Sequence, residues 1–139
     1  MSVEAFIDTN VLIYAAAGRV DEPEKYARAW DLLDEAKFGL SGQVLAEFYV
    51  NALKKPRIPL NALEAARWVD KLSTVPVVEV DANLVREAIR HSLRYEISYW
   101  DAALIAAAER LDAPILYTED LNHGQLYGAV RVVNPFLPN

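Results

Sequence analysis

Short apolar runs alternate with helical patterns along this chain, and none reads as half of a β-hairpin. Val3–Ile7, Val75–Val80 and Pro114–Thr118 read as strands, Gly39–Gly42 as a brief one, and Val130–Val133 as a fifth candidate. Strands separated by helices, without hairpin turns, favour a parallel sheet covered on both faces. The expected architecture is α/β, a three-layer α/β/α sandwich around a mainly parallel sheet of four or five strands.

The segments between the strands carry helical signals. Asn10–Ala17 reads as a helix stopped by Gly18, and Tyr26, Ala29, Trp30, Leu33 and Ala36 recur at helical spacing over about Glu24–Lys37. A third helix starts at Gln43 and ends by Lys54–Arg57. Asn61 and Glu64 form a capping box for a fourth that runs to about Ser73. Asp81 caps a helix to Tyr95, and Ser98 caps another that ends near Leu111, with Pro114 beyond.

The 139 residues suit one domain, expected to span 1–139. With 53% hydrophobic and 24% charged residues, a disordered chain is excluded. No apolar run is long enough for a bilayer, and the N-terminus lacks a basic leader, so a cytoplasmic protein with no membrane role is expected. Without cysteine there is no disulfide, thiolate metal site or cysteine nucleophile. The net charge of −6 weighs against strong nonspecific nucleic-acid binding.

Four acids carry most of the chemical information: Asp8 after the first strand, Glu47 on the third helix, Asp101 opening the last helix, and Asp120 past the fourth strand. Each has a local alternative. Asp8 can cap a helix, with Asn10 competing; Asp120 lies in turn-forming Thr-Glu-Asp-Leu-Asn; Asp101 can complete a capping box with Ser98; Glu47 can be a boundary residue. In open α/β sheets, however, ligands bind beyond the carboxyl ends of the strands. If the strands preceding Asp8 and Asp120 are neighbours, both carboxylates reach that rim.

Convergence would need compensation. Two carboxylates at ~5 Å in an effective dielectric of ~20 repel by roughly 3 kcal/mol. Four together reach on the order of 20 kcal/mol, above a domain's ~5–15 kcal/mol of net stability. An all-oxygen set without Cys or His selects a hard cation, Mg²⁺ or Mn²⁺ before zinc. Such an ion suits substrates with phosphate oxygens, where it can activate water or stabilise a leaving oxygen.

Other chemistries find little footing. His91 reads as part of an exposed polar helix face and His123 as a turn residue. There is no Walker loop, GxGxxG or GxSxG. A phosphotransfer domain using Asp8 lacks its expected partners, since Asp8-Thr-Asn is not Asp-x-Asp. A catalytically inactive interaction module on the same fold is the remaining alternative.

Asp8-Thr9-Asn10, Glu47, Ser98-Tyr-Trp-Asp101-Ala-Ala and Thr118-Glu-Asp120, in that order, resemble the PIN-domain ribonuclease family, and most closely its VapC-like toxin branch. The combination is specific although no single motif is. The resemblance covers essentially the whole chain and implies a single PIN-like nuclease domain that hydrolyses RNA phosphodiester bonds with metal-activated water. By position, Asp8, Glu47, Asp101 and Asp120 match the catalytic, metal-binding quartet, and Thr9, Asn10 and Thr118 match supporting polar positions. Where many members carry a further acid this chain has Asn122, so one Mg²⁺ or Mn²⁺ is expected and a second stays open. The resemblance also implies an endoribonuclease toxin that forms a homodimer and is held inactive by a cognate antitoxin, often through an inserted arginine.

Arg86, Arg90 and Arg94 are spaced four apart and form a basic stripe that could contact RNA phosphates. Lys54, Lys55 and Arg57 form a second basic cluster. Pairing of the stripe with Glu87 and Glu96 is the competing reading.

Overall fold

The computed structural model describes residues 3–138. Six strands and six helices follow in the order β1 (Ala5–Ile7), α1 (Thr9–Ala17), α2 (Pro23–Glu35), β2 (Phe38–Ser41), α3 (Gly42–Ala52), α4 (Ala62–Leu72), β3 (Val77–Val78), α5 (Ala82–Tyr95), α6 (Tyr99–Arg110), β4 (Ile115–Tyr117), β5 (Leu126–Tyr127) and β6 (Val130–Val133). They form one sheet in the order β3-β2-β1-β4-β6-β5, parallel throughout except for the β5–β6 pair.

That order contains a reversal. From β1 the chain steps outward to β2 and then β3, and β4 returns to the other side of β1. Right-handed crossovers place α1–α4 on one face of the sheet and α5–α6 on the other. This is the expected three-layer sandwich. The reversal lies between β1 and β4, and the crevice outside the carboxyl ends of such a pair is where α/β sheets bind ligands.

The core explains the layers. Phe6, Ile7, Leu40, Leu116 and Val132 are fully buried within the sheet. Every residue of α6 from Ala102 to Ala108 is buried, because the helix is covered by α5 on one side and lies over β1, β2, β4 and β6 on the other. Its alanines permit that close double contact. On the other layer, Trp30 and Trp68 meet at 5.6 Å between ring centroids and Phe48 joins them, locking α2, α3 and α4 together.

The strands depart from the expected ones in two places. β3 is only Val77–Val78, since it is an edge strand and Pro76 has no N–H for the ladder; the Pro76 carbonyl instead accepts from Leu40 N–H at 2.9 Å. The sheet also has a sixth strand and a hairpin that the sequence reading lacks. Tyr127 pairs with Val130 across Gly128-Ala129, and Gly128 has φ +60. A glycine with positive φ at the first position of a two-residue loop is the II′ pattern that suits hairpin twist. Among the described residues, no helix is long and apolar enough to cross a membrane.

Candidate active site

β1 and β4 are adjacent, with Ile7 opposite Tyr117, and the ladder runs one step further as Asp8 N–H donates to the Tyr117 carbonyl at 3.0 Å. The condition for Asp8 and Asp120 to share a rim is therefore met. Asp8 is buried and also caps α1, its Oδ1 accepting Thr9 N–H at 2.7 Å. Asn10 is no cap. It lies inside α1 and points its amide at Asp120, with Nδ2 3.5 Å from Oδ2.

Thr118 links the two aspartates. Its fully buried hydroxyl donates to Asp8 Oδ2 at 2.8 Å and accepts Asp120 N–H at 3.1 Å. Asp120 itself is exposed. From α3, Glu47 reaches the same rim: its Oε2 accepts the Thr9 hydroxyl at 3.1 Å, and its Oε1 accepts the Gln43 amide at 3.0 Å. Asp101, in the first turn of α6, is partly buried, and its N–H donates to the Ser98 hydroxyl at 3.1 Å. The return bond that would complete a capping box is not made there, unlike at Asn61 and Glu64.

The electrostatics tie the four together. Burial first, with the charges of Asp120 and Glu47 adding to it and the Thr118 and Thr9 bonds opposing it, pushes the Asp8 carboxyl up to about 6. Asp101 is also raised, first by burial and then by the charge of Asp120, while Ser98 acts in the opposite direction. Among the described residues, none of the four carboxylates forms an ion pair; the ion pairs that form involve Lys25, Arg57, His91 and Arg110 with other acids. Nor do any three Asp, Glu or His side chains among them already close on one point as a metal cage. The carboxylates thus influence one another without collapsing together.

These residues fit a hard divalent cation. The donors are all oxygen, no cation of the protein neutralises them, and Asp8 holds an uncompensated buried carboxylate. Asn122, the fifth position expected to support the site, donates its amide to Gln125 Oε1 at 2.9 Å within its own loop.

Three features had no place in the sequence reading. Gln43 holds Glu47 from one turn earlier on α3, a relation that i, i+4 spacing would have shown. Glu119, beside Asp120, accepts the Tyr14 hydroxyl at 2.5 Å and pairs with Lys25 at 3.0 Å, which anchors the Asp120 segment to α1 and α2. Tyr127, brought in by the unforeseen hairpin, has its hydroxyl raised by burial and by the charge of Asp101. No pattern in the sequence links these last residues, because only the fold brings them together.

The remaining polar residues separate cleanly. His91 is not on an open polar face: it is partly buried between α5 and α6, hydrogen-bonded to Glu109 and packed by Tyr95. His123 Nδ1 accepts Asn134 N–H at 3.0 Å. Arg86, Arg90 and Arg94 are exposed, and Glu87 pairs with Arg110 rather than with the stripe. Arg94 lies 5.4 Å from the Tyr95 ring centroid, and Tyr95 packs edge-on against Tyr127 at 5.1 Å. Tyr127 in turn feels the charge of Asp101, so a run of neighbouring side chains leads from Arg94 toward the acidic rim.

Comparison with known proteins bears on the fold and the family. No curated protein sequence matches the chain. Among solved structures, VapC20 of Mycobacterium tuberculosis, described as a sarcin-ricin loop cleaving toxin, has a TM-score of 0.67 and 22% identity over 84% of this chain and 89% of that one. A toxin–antitoxin complex from Klebsiella pneumoniae gives 0.70 and 22%, over 94% and 97%. VapBC2 from Rickettsia felis, bound to a DNA fragment from its promoter, gives 0.62 and 18%, over 92% and 96%. These likenesses are of fold. The PIN domain family model matches residues 5–129, from β1 through the β5–β6 turn and so across all four acids, and the chain belongs to the PIN domain family.

Proposed function

We propose that this PIN domain is a divalent-metal-dependent endoribonuclease, the toxin of a toxin–antitoxin pair, with residues 1–139 acting as one nuclease domain. The observation that carries the reading is the acidic rim at the β1–β4 reversal, where Asp8 feels the charges of Asp120 and Glu47, Asp101 feels that of Asp120, and none of the four has a basic partner among the described residues. Family membership supports it, because PIN nucleases generally use divalent ions. So does the likeness of fold to a toxin described as cleaving the sarcin-ricin loop and to toxin–antitoxin complexes.

Asp8, Glu47, Asp101 and Asp120 would hold Mg²⁺ or Mn²⁺. When bound, the ion supplies Lewis-acid activation for in-line hydrolysis of a phosphodiester. The chain's own groups prepare the site. Thr118 and Thr9 N–H hold both oxygens of Asp8, while Thr9 and Gln43 hold both oxygens of Glu47. Bonds of this kind around ligating groups keep them aimed and ionised. Asn10 orients Asp120, and Arg94 leads the basic stripe toward the rim, where it would meet RNA phosphates. With Asn122 turned to Gln125, the site is read as holding one ion.

The test is cleavage of RNA by purified protein in EDTA, Mg²⁺ and Mn²⁺. Cleavage appears with metal, and Asp8→Asn or Asp101→Asn reduces it at least ~100-fold with the fold retained. Equal cleavage by these variants, once contaminating nuclease is excluded, overturns the reading. A cytoplasmic homodimer bound by a small antitoxin completes the proposal; co-purification with the product of an adjacent reading frame and light scattering test those parts.

A further inference from the structure

We propose that a groove along α1 is a subsite for an unpaired RNA nucleotide adjoining the phosphate that is cut, an inference that rests on the nuclease reading above. A cavity of about 280 Å³ opens beside the acids. One wall is a single face of α1, made by Asn10, Ile13, Tyr14 and Ala17 at three- and four-residue spacing. Lys55 and Pro56, in the segment that follows α3, form part of the lining. Asn10 also touches Asp120, so the groove begins at the acidic rim and leads away along the helix.

The lining suits a nucleotide. Ile13 and Ala17 give an apolar surface, and Tyr14 is held in place by Glu119 and by Lys25, whose ammonium lies 4.8 Å from its ring centroid. A base can lie against such a surface whatever its identity, because every base has an apolar face. Lys55 is exposed and makes no ion pair among the described residues, which leaves its ammonium for a phosphate. Asp21, also in the lining, is already engaged: its Oδ2 accepts Arg57 N–H at 3.1 Å. Glu22 is the remaining acid there, on the α2 side. The volume falls just under the ~300–1,000 Å³ of small-ligand pockets, the scale of one nucleotide rather than of a helical peptide.

RNA recognition of this kind takes splayed, single-stranded bases. The test uses a fluorescently labelled single-stranded oligoribonucleotide and the Asp101→Asn protein, which binds without cutting. Adding Ala17→Phe, which fills the groove, weakens binding about 10-fold or more. Adding Lys55→Ala, at an exposed position that spares the fold, lowers the slope of log K against log salt by about 0.7, the equivalent of one neutralised phosphate on a single strand. Wild-type affinity in the first and an unchanged slope in the second overturn the subsite, including the case in which a protein segment is the true occupant. Cleavage by the unaltered chain with Mn²⁺ is the separate control. Its absence overturns the nuclease reading, whereas cleavage with unaltered binding in both groove variants overturns the subsite alone.

Discussion

The Thr118 hydroxyl donates to Asp8 Oδ2 at 2.8 Å across the β1–β4 boundary, and the Thr118 Oγ1 itself accepts the N–H of Asp120. One buried side chain therefore sets the positions of two of the four acids. Thr118→Val keeps the shape and removes the donor, leaving a buried carboxylate oxygen with no hydrogen-bond partner. A bond to a charged group contributes about 1.5–3 kcal/mol, so the metal-free protein should lose stability of that order. Its Mn²⁺ affinity should fall as well. Denaturant unfolding in EDTA and calorimetric metal titration check both, and no change in either would remove Thr118 from the site.

Stability of the metal-free protein should depend on pH through Asp8. Its folded value is about 6, above the ordinary 3.8, so the folded state binds this proton more tightly than the unfolded chain. The favourable contribution is complete below about pH 3.8 and is lost as pH rises through about 6. Across that window the loss is about 3 kcal/mol. Asp8→Asn does not titrate, so in EDTA its stability relative to wild type should rise between pH 4 and pH 8. Saturating Mn²⁺ should shrink that difference at pH 8. A difference that stays flat with pH would contradict the burial argument.

Gln43 should matter to cleavage more than to folding. It is a partly buried helical residue whose amide holds Glu47 Oε1 at 3.0 Å. Gln43→Ala preserves helix propensity and frees that oxygen. Removing an outer partner of a ligating group typically costs 10–100-fold, so activity should fall by at least about 10-fold while the melting temperature holds. A variant as active as wild type would show that Thr9 alone suffices to position Glu47.

The contrast between Asp8 and Tyr127 shows what sequence could and could not reveal. Asp8 and Asp120 each follow an apolar strand-like run, so local pattern predicts that both reach the same rim if those strands are neighbours, and the β1–β4 pairing supplies that condition. α6 was legible for the same reason, since a near-continuous alanine and aliphatic face can only be buried on both sides. Tyr127 belongs to a two-residue strand too short for any periodic signal, and its hairpin rests on Gly128 alone. The Tyr14–Glu119–Lys25 cluster joins three elements through the fold and has no spacing rule. His91 was misplaced because its partner Glu109 lies on the neighbouring helix, and antiparallel packing of α5 on α6 cannot be read from either helix separately.

The arginine stripe gives the last expectation. Arg86, Arg90 and Arg94 are exposed and unpaired with carboxylates among the described residues, because Glu87 is committed to Arg110. Their charge is thus available to phosphates, and Arg94 is linked toward Asp101 through Tyr95 and Tyr127. A protein of net charge −6 binds RNA only where such local cations outweigh the general repulsion. Arg90→Glu with Arg94→Glu should therefore weaken RNA binding most at low salt. It should also flatten the dependence of log K on log salt by about 0.7 for each phosphate no longer neutralised. Both residues are on the solvent side of α5, so the circular dichroism melt should not change. Unaltered affinity with an unaltered salt slope would show that the stripe is a solvated helix face and that the RNA backbone passes elsewhere.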